Sequence, residues 1–236
     1  MTVVDGRWEA RREPLGIWLV LLALVLGLIW RLMYFPLWTV EQGLSMRILL
    51  SLITAQPLQF VLERTGPAGA IIGALGAILL ESRSHDPAHG PGGLWTRERL
   101  AIVSAVLAAA LFLASLTAIE GAGVAEGFRI GSLTGVIVIS LGLYLFWTAE
   151  RVIGTSMSRL GLVALMLAVL AAGLNFLSSI LLFGPGDQFS GALPLLTSAD
   201  AILGSVSLGI WIVIYSVIVR RNRLVPSAST PDAGEA

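Results

Sequence analysis

Four polar side chains interrupt apolar runs in the last third of the chain, and they are the residues best placed for chemistry. Asn175, Ser178 and Ser179 fall on neighbouring turns of one predicted helix, and Asp200 stands at the start of the next. An asparagine in hydrocarbon needs a hydrogen-bond partner on another helix. We take these four residues as the candidate ligand-binding site. The alternative is that they form purely structural hydrogen bonds between helices.

The chain offers little for catalysis. It has no cysteine, which excludes a thiolate metal site and a cysteine nucleophile, and no lysine, which excludes a Schiff base. Its two histidines, His85 and His89, lie in a polar loop, so no apolar run holds a histidine that could bind haem or activate a serine. We expect no catalytic residue, no metal and no cofactor, and we lean towards a protein that is not an enzyme.

Composition assigns the chain to the membrane. Of its 236 residues, 56% are hydrophobic and only 13% are charged, with a mean hydropathy of +0.86. Soluble domains carry about 25% charged residues, so this chain has too few polar side chains to cover a soluble surface. The net charge is zero, which gives no reason to expect a nucleic-acid partner.

The apolar runs predict an all-α, polytopic transmembrane helical bundle over residues 15–223. It follows a cytoplasmic segment, 1–14, and precedes a disordered tail, 224–236. Six runs are apolar enough to be predicted as spans, at about 15–35, 66–82, 100–119, 129–149, 159–183 and 201–219.

A seventh stretch, 44–64, is less apolar than these six runs. Whether it crosses the membrane determines on which side each later loop lies. Arg47, Ser51 and Thr54 share one helical face, and Pro57 interrupts the run. Residues 44–56 would make only about 20 Å of helix, too short for a core of about 30 Å. We predict a pair of amphipathic helices on the outer face, with a re-entrant hairpin or a seventh span as alternatives.

Arginine placement predicts the orientation. If six runs cross and 44–64 does not, eleven of the fifteen arginines fall on one side. Positive charge stays in the cytoplasm, so both termini are predicted to lie inside the cell membrane. Arg31, one turn from the end of the first span, is predicted to extend to the headgroups. The alternative is a charge that faces the bundle.

Small residues at a spacing of four predict close helix packing, because they let two backbones approach. The same pattern fits contacts within this chain or a seam with a second copy or another membrane protein. The candidate packing residues are Gly69, Gly73, Gly131, Gly135, Ser205 and Gly209.

Residues 35–82 combine an outer amphipathic stretch after Pro36 with the sequence LERTGP, residues 62–67, and a glycine-rich span. This order resembles the membrane-anchor bundle that precedes the molybdopterin-binding domain of bacterial sulfite-oxidase-like proteins. The chain has neither that catalytic domain nor a cysteine to ligate molybdenum, so the resemblance carries no catalytic residue. The second half is similar in its general pattern to small bacterial membrane proteins.

Three functions fit these features. The preferred one is a non-enzymatic membrane subunit or anchor, which acts by packing its helices against a partner. The alternative is a carrier or binding protein for a small or lipophilic molecule, which would use Asn175, Ser178, Ser179 and Asp200. A membrane enzyme acting on lipid or peptide comes third, because no histidine or lysine is available to activate a serine. The expected partners are the lipid bilayer and either a membrane protein or a second copy.

Overall fold

In a computed structural model, the described part of the chain consists of six α-helices. It covers residues 4–33, 56–81, 97–116, 124–153, 158–183 and 192–224. The helices are α1 (Val4–Met33), α2 (Gln56–Glu81), α3 (Arg97–Leu116), α4 (Val124–Ile153), α5 (Ser158–Phe183) and α6 (Ala192–Leu224). The predicted all-α class is confirmed. Residues 44–55, the histidine-containing loop and the predicted tail after 224 lie outside the described residues.

Four of these helices are long and apolar enough to cross a membrane. Their candidate spans are Pro14–Leu32, Gly127–Arg151, Arg159–Leu182 and Ala192–Arg221. The prediction of six spans is not supported. The apolar part of α2, Ala68–Glu81, reaches only about 21 Å at 1.5 Å per residue. Helix α3 begins with three charged residues, so its remaining length of about 25 Å also falls short of a core of about 30 Å.

Three helices begin nine or more residues before their predicted starts, each near a proline. Helix α6 begins at Ala192, two residues before Pro194, so Asp200 lies inside this helix and not at its start as predicted. Helix α1 begins at Val4 and runs through Pro14, so most of the predicted N-terminal segment is helical. Helix α2 begins at Gln56, which makes residues 56–64 its first turns rather than half of a separate amphipathic pair. Pro57 was interpreted as an interruption. It is the second residue of α2, where the missing N–H leaves no hydrogen bond unmade.

The helices pack as neighbours around α6 and α4. Helix α1 packs against α2 and α6, α5 lies between α4 and α6, and α3 packs on α4. Trp211, Ile214 and Tyr215 of α6 are almost completely buried and meet Ile17 and Val20 of α1 in the main core. Helix α6 therefore carries the centre of the bundle, and α1, α4, α5 and α6 enclose the space in which the candidate site lies.

Glycines bring α1 and α2 together. A Cβ on Gly76 would lie 2.9 Å from the carbonyl oxygen of Gly16, so no side chain fits between the two backbones. Gly69 and Gly73 face the same partner: an added Cβ would lie 3.2 Å from the Ala23 carbonyl oxygen and 3.1 Å from the Ala23 Cβ, respectively. The small-residue spacing on α2 thus serves a contact within the chain.

The other predicted packing residues divide into two groups. On α4, a Cβ on Gly131 would lie 2.9 Å from the Cα of Phe176 in α5, which is a close backbone approach. At Gly135 and Gly209, by contrast, an added Cβ would meet nothing within 4 Å. The Ser205 hydroxyl is buried and makes no hydrogen bond within the described residues.

Candidate functional site

A cavity of about 240 Å³ lies between α1, α4, α5 and α6. Its walls are mainly aliphatic, and its few polar groups include Arg31, Asn175 and Asp200, which the contacts described below bring together at one end. Trp211 and Leu145 are the lining residues that lie farthest from this end along α6 and α4. The aliphatic lining consists of Leu24, Val138, Leu141, Gly142, Ala168, Ala171, Ala172, Gly204 and Leu208.

An ion pair between Arg31 and Asp200 joins α1 to α6 at the polar end of the cavity. The Nη2 of Arg31 donates to Oδ1 of Asp200 at 2.7 Å and to the Asp200 carbonyl oxygen at 2.6 Å. Its Nε lies 3.5 Å from the Ala201 carbonyl oxygen. The side chains are only 25% and 17% exposed. Arg31 therefore faces the bundle, which was the alternative interpretation, rather than extending to the headgroups.

Gly204 makes room for this ion pair. It follows Asp200 by one helical turn, and a Cβ at this position would overlap the guanidinium of Arg31. The planar guanidinium therefore lies directly against the backbone of α6, and any residue larger than glycine would displace it. Gly204 is not among the residues predicted from the sequence. The spacing of four between Asp200 and Gly204, which puts both on one helical face, is the signal that could have indicated it.

The four predicted ligand-binding residues separate into two pairs. Asn175 lines the cavity together with Arg31 and Asp200, and its side chain lies close to the Asp200 carboxylate. The hydroxyls of Ser178 and Ser179 instead donate to the Asn175 carbonyl oxygen within α5, at 2.9 and 2.8 Å. Serines in helices often bond back to a carbonyl three or four residues earlier. The structure thus brings Asn175 and Asp200 together with Arg31, and it leaves the two serines outside the cavity.

Distances along α6 give the length of the cavity. Asp200 and Arg220 are twenty residues apart, about 30 Å of helix, which matches the thickness of a bilayer core. Both residues lie within the candidate span Ala192–Arg221. Trp211 comes eleven residues after Asp200, so these two lining residues are about 16 Å apart along α6.

A second polar cluster lies at the other end of the bundle and joins α2, α3 and α4. Oε1 of Glu81 lies 3.4 Å from Nη2 of Arg151, and Oε2 lies 3.9 Å from Nε of Arg99. The Glu81 side chain is only 10% exposed. Nearby, Arg97 and Glu150 form a more exposed pair at 3.5 Å. We refer to Glu81, Arg99 and Arg151 as the Glu81 cluster.

Glu81 lies outside the four candidate spans, and its carboxyl gives a testable pH dependence of stability. Burial raises the pKa of Glu81 above its ordinary value of 4.5 because the charged form loses its water, and Arg151 only partly opposes this. A carboxyl whose pKa is raised by folding contributes most to stability when protonated. That contribution is lost as the pH rises through the folded-state pKa.

Glu81→Gln keeps the uncharged form at every pH, so it is expected to raise the melting temperature at neutral pH. The gain should disappear as the pH falls below about 4, where the native carboxyl is protonated as well. Each pKa unit corresponds to about 1.4 kcal/mol. Thermal unfolding of both proteins across this pH range checks the sign. A variant that melts lower than the native chain at neutral pH would show that the contacts with Arg151 and Arg99 outweigh burial.

The arrangement around the cavity is suited to binding. The hydroxyl of Ser207 donates to the Ala164 carbonyl oxygen at 2.8 Å, and that of Thr134 donates to the Ile130 carbonyl oxygen at 2.9 Å. Neither lining hydroxyl is paired with a base. The described residues also include no group of three histidine, cysteine, aspartate or glutamate side chains that could hold a metal ion.

Comparison with protein-family models, with curated proteins and with solved structures finds no match to this chain. The resemblance of residues 35–82 to a membrane-anchor bundle therefore stays a prediction. The geometry of the cavity and of its polar end is the basis for the function proposed below.

Proposed function

We propose that the chain is a membrane-embedded binding protein or carrier for a small, uncharged amphiphilic molecule. The cavity between α1, α4, α5 and α6 carries this proposal. It combines aliphatic walls with one polar end formed by Arg31, Asp200 and Asn175. Ligand sites in proteins are commonly apolar pockets in which a few placed polar groups fix the orientation of the ligand.

The volume of the cavity limits the size of the ligand. A cavity of about 150 Å³ accommodates benzene, and pockets for drug-sized ligands measure about 300–1,000 Å³. At about 240 Å³, this cavity suits a single ring with short substituents or a short acyl chain. Such a ligand would lie along α6 between Asp200 and Trp211.

The ion pair selects the charge of the ligand. Arg31 and Asp200 neutralise each other, and both are largely buried. A ligand with a net charge would compete for one of them and leave the other uncompensated in a medium of low dielectric, which is strongly unfavourable. A hydroxyl, amide or carbonyl head can exchange hydrogen bonds with Asn175 and with the outer edge of the pair without separating the charges.

Filling the cavity tests this proposal. Ala172 is 5% exposed and lines the cavity, so Ala172→Leu should occupy the space of the ligand. Native mass spectrometry of protein extracted with its surrounding lipid should show a discrete small-molecule adduct. Its occupancy should fall at least tenfold in Ala172→Leu. Ala110→Leu, the same change at an exposed position of α3, is the matched control and should keep the adduct. No adduct on the native chain, or equal adducts on all three proteins, would contradict the proposal.

For location and orientation we propose the cell membrane, with both termini in the cytoplasm. An even number of spans, four or six, puts both termini on the same side, and each terminal segment carries three arginines, which favours the cytoplasm. The Glu81 cluster also supports it. It gathers Arg99 and Arg151 around one carboxylate, at the end of the span Gly127–Arg151 that this orientation places on the cytoplasmic side.

A membrane subunit or anchor is the second candidate function. It is favoured by Gly135 and Gly209, where nothing lies within 4 Å of an added Cβ, so both positions have room for a neighbouring helix. The same native mass spectrum distinguishes the two candidates. A second polypeptide in fixed ratio would support the subunit, and an adduct on a chain without such a partner would support the carrier.

A further inference from the structure

Three hydroxyl side chains are buried together between the cavity and the Glu81 cluster. Tyr144 is 3% exposed, and Thr148 and Tyr215 are 0% exposed. Thr148 of α4 lies beside both tyrosines, yet among the described residues neither its Oγ1 nor the Tyr144 Oη completes a hydrogen bond. The Tyr215 hydroxyl makes one long bond, 3.3 Å to the Leu145 carbonyl oxygen. We refer to these three side chains as the hydroxyl cluster.

Buried hydroxyls that lack a hydrogen-bond partner indicate a bound polar ligand. Buried polar groups nearly always have a partner, and leaving one without a partner costs about 1–3 kcal/mol. A buried water needs two to four polar partners, and three neighbouring hydroxyls provide them. Water is therefore the ligand whose chemistry fits the hydroxyl cluster.

The hydroxyl cluster continues the faces that line the cavity. On α6, Tyr215 follows Trp211 by four residues, and on α4, Thr148 follows Leu145 by three, so both lie about one turn beyond the lining residues farthest from the polar end. On its other side, Tyr144 packs with Ala77, which stands one turn before Glu81. The field of the Glu81 carboxylate reaches the Tyr144 hydroxyl.

We infer that the hydroxyl cluster holds bound water and forms the second half of a polar path, which leads from the ligand cavity to the Glu81 cluster. Trp211 and Leu145 lie between the two halves along α6 and α4. The inference rests on the proposed function for what the path carries, and it extends that function from binding to passage through the bundle. The hydration itself can be tested without knowing the ligand.

The absence of native cysteine allows a direct test. Thr148→Cys places a thiol in the hydroxyl cluster. Ala149→Cys places one at the next residue, which belongs to the main core and is 7% exposed. Ag⁺ binds thiols and is close to water in size, and open membrane fragments expose both faces to it. We expect Ag⁺ to block Thr148→Cys at least ten times faster than Ala149→Cys, measured as protection from a maleimide added after denaturation. Equal rates would overturn the inference.

Two conservative variants provide a second readout. If water is bound, Tyr144→Phe and Tyr215→Phe remove its partners, so each should lower the melting temperature and slow the reaction of Thr148→Cys severalfold. In a dry cluster, loss of the unpartnered Tyr144 hydroxyl should raise the melting temperature instead, which would overturn the inference.

The adduct on Thr148→Cys, measured by native mass spectrometry, separates the two proposals. Slow reaction with a retained adduct overturns the path and leaves the proposed function standing. Fast reaction without an adduct upholds the hydrated cluster and overturns the proposed function.

Discussion

Asp200→Ala is expected to lower the free energy of unfolding by about 3 kcal/mol. The substitution leaves the Arg31 guanidinium largely buried without its counter-charge, and breaking a buried ion pair costs about 3–5 kcal/mol. Arg31 and Asp200 are 25% and 17% exposed, which places the effect at the lower end of that range. Arg31→Ala should cost a similar amount, because it leaves the carboxylate uncompensated. Unfolding of purified protein in mild detergent measures both.

The double variant Arg31→Met, Asp200→Leu tests more directly whether the lost stability comes from an unpaired charge. Replacing a buried pair with apolar residues of similar volume is often neutral, so the double variant should recover most of the stability lost by either single change. Arg97→Ala is the control. Arg97 is 58% exposed and lies 3.5 Å from Glu150, so its loss should cost less than about 1 kcal/mol. Additive losses in the double variant would mean that Arg31 and Asp200 stabilise the bundle independently of each other.

Gly127→Ala and Gly135→Ala, two identical changes in α4, should have opposite effects. A Cβ on Gly127 would overlap the Ser179 carbonyl oxygen and lie 3.0 Å from the Cα of Ile180, and neither backbone atom can move without separating α4 from α5. Overpacking of this kind costs about 1–3 kcal/mol, and a clash with backbone belongs at the upper end. At Gly135 the added methyl meets nothing within 4 Å, so the better helix propensity of alanine should stabilise α4 by up to about 1 kcal/mol.

Melting temperatures of the two glycine variants, measured in one detergent, decide this prediction. Equal gains would show that α4 and α5 do not approach as closely as the structure has them. A loss at Gly135 as large as that at Gly127 would show that the Gly135 face is covered by lipid or by a partner helix that requires the glycine.

The sequence was sufficient for the class of fold and for part of the candidate site. Hydropathy identified the helices because each span must satisfy its own backbone hydrogen bonds in lipid. It overestimated the number of spans, since apolar runs such as 66–82 and 100–119 can also pack against other helices without crossing. The sequence correctly indicates a helix boundary near Pro57, because α2 begins at Gln56. A proline can mark either the end of a helix or its first turn, and the sequence alone does not tell which.

The pairing of Arg31 with Asp200 could not be read from the sequence. The two residues are 169 positions apart, and hydropathy does not tell which helices are neighbours. An arginine one turn from a helix end fits snorkelling as well as a buried pair, and only the packing of α1 on α6 decides between them. Asn175 and Asp200 were identified because polar residues in apolar helices are costly and need partners. Ser178 and Ser179 satisfy that need locally, and the sequence does not distinguish the two situations.

The most direct test of the account is an experimental structure of the protein extracted with its surrounding lipid. We predict elongated non-protein density in the cavity between α1, α4, α5 and α6, with its polar end next to Asn175 and the Arg31–Asp200 pair and its apolar end against Trp211. The pair itself should remain intact. A cavity filled by side chains, or an Arg31 turned towards the headgroups with Asp200 left without it, would contradict the binding function proposed for this chain.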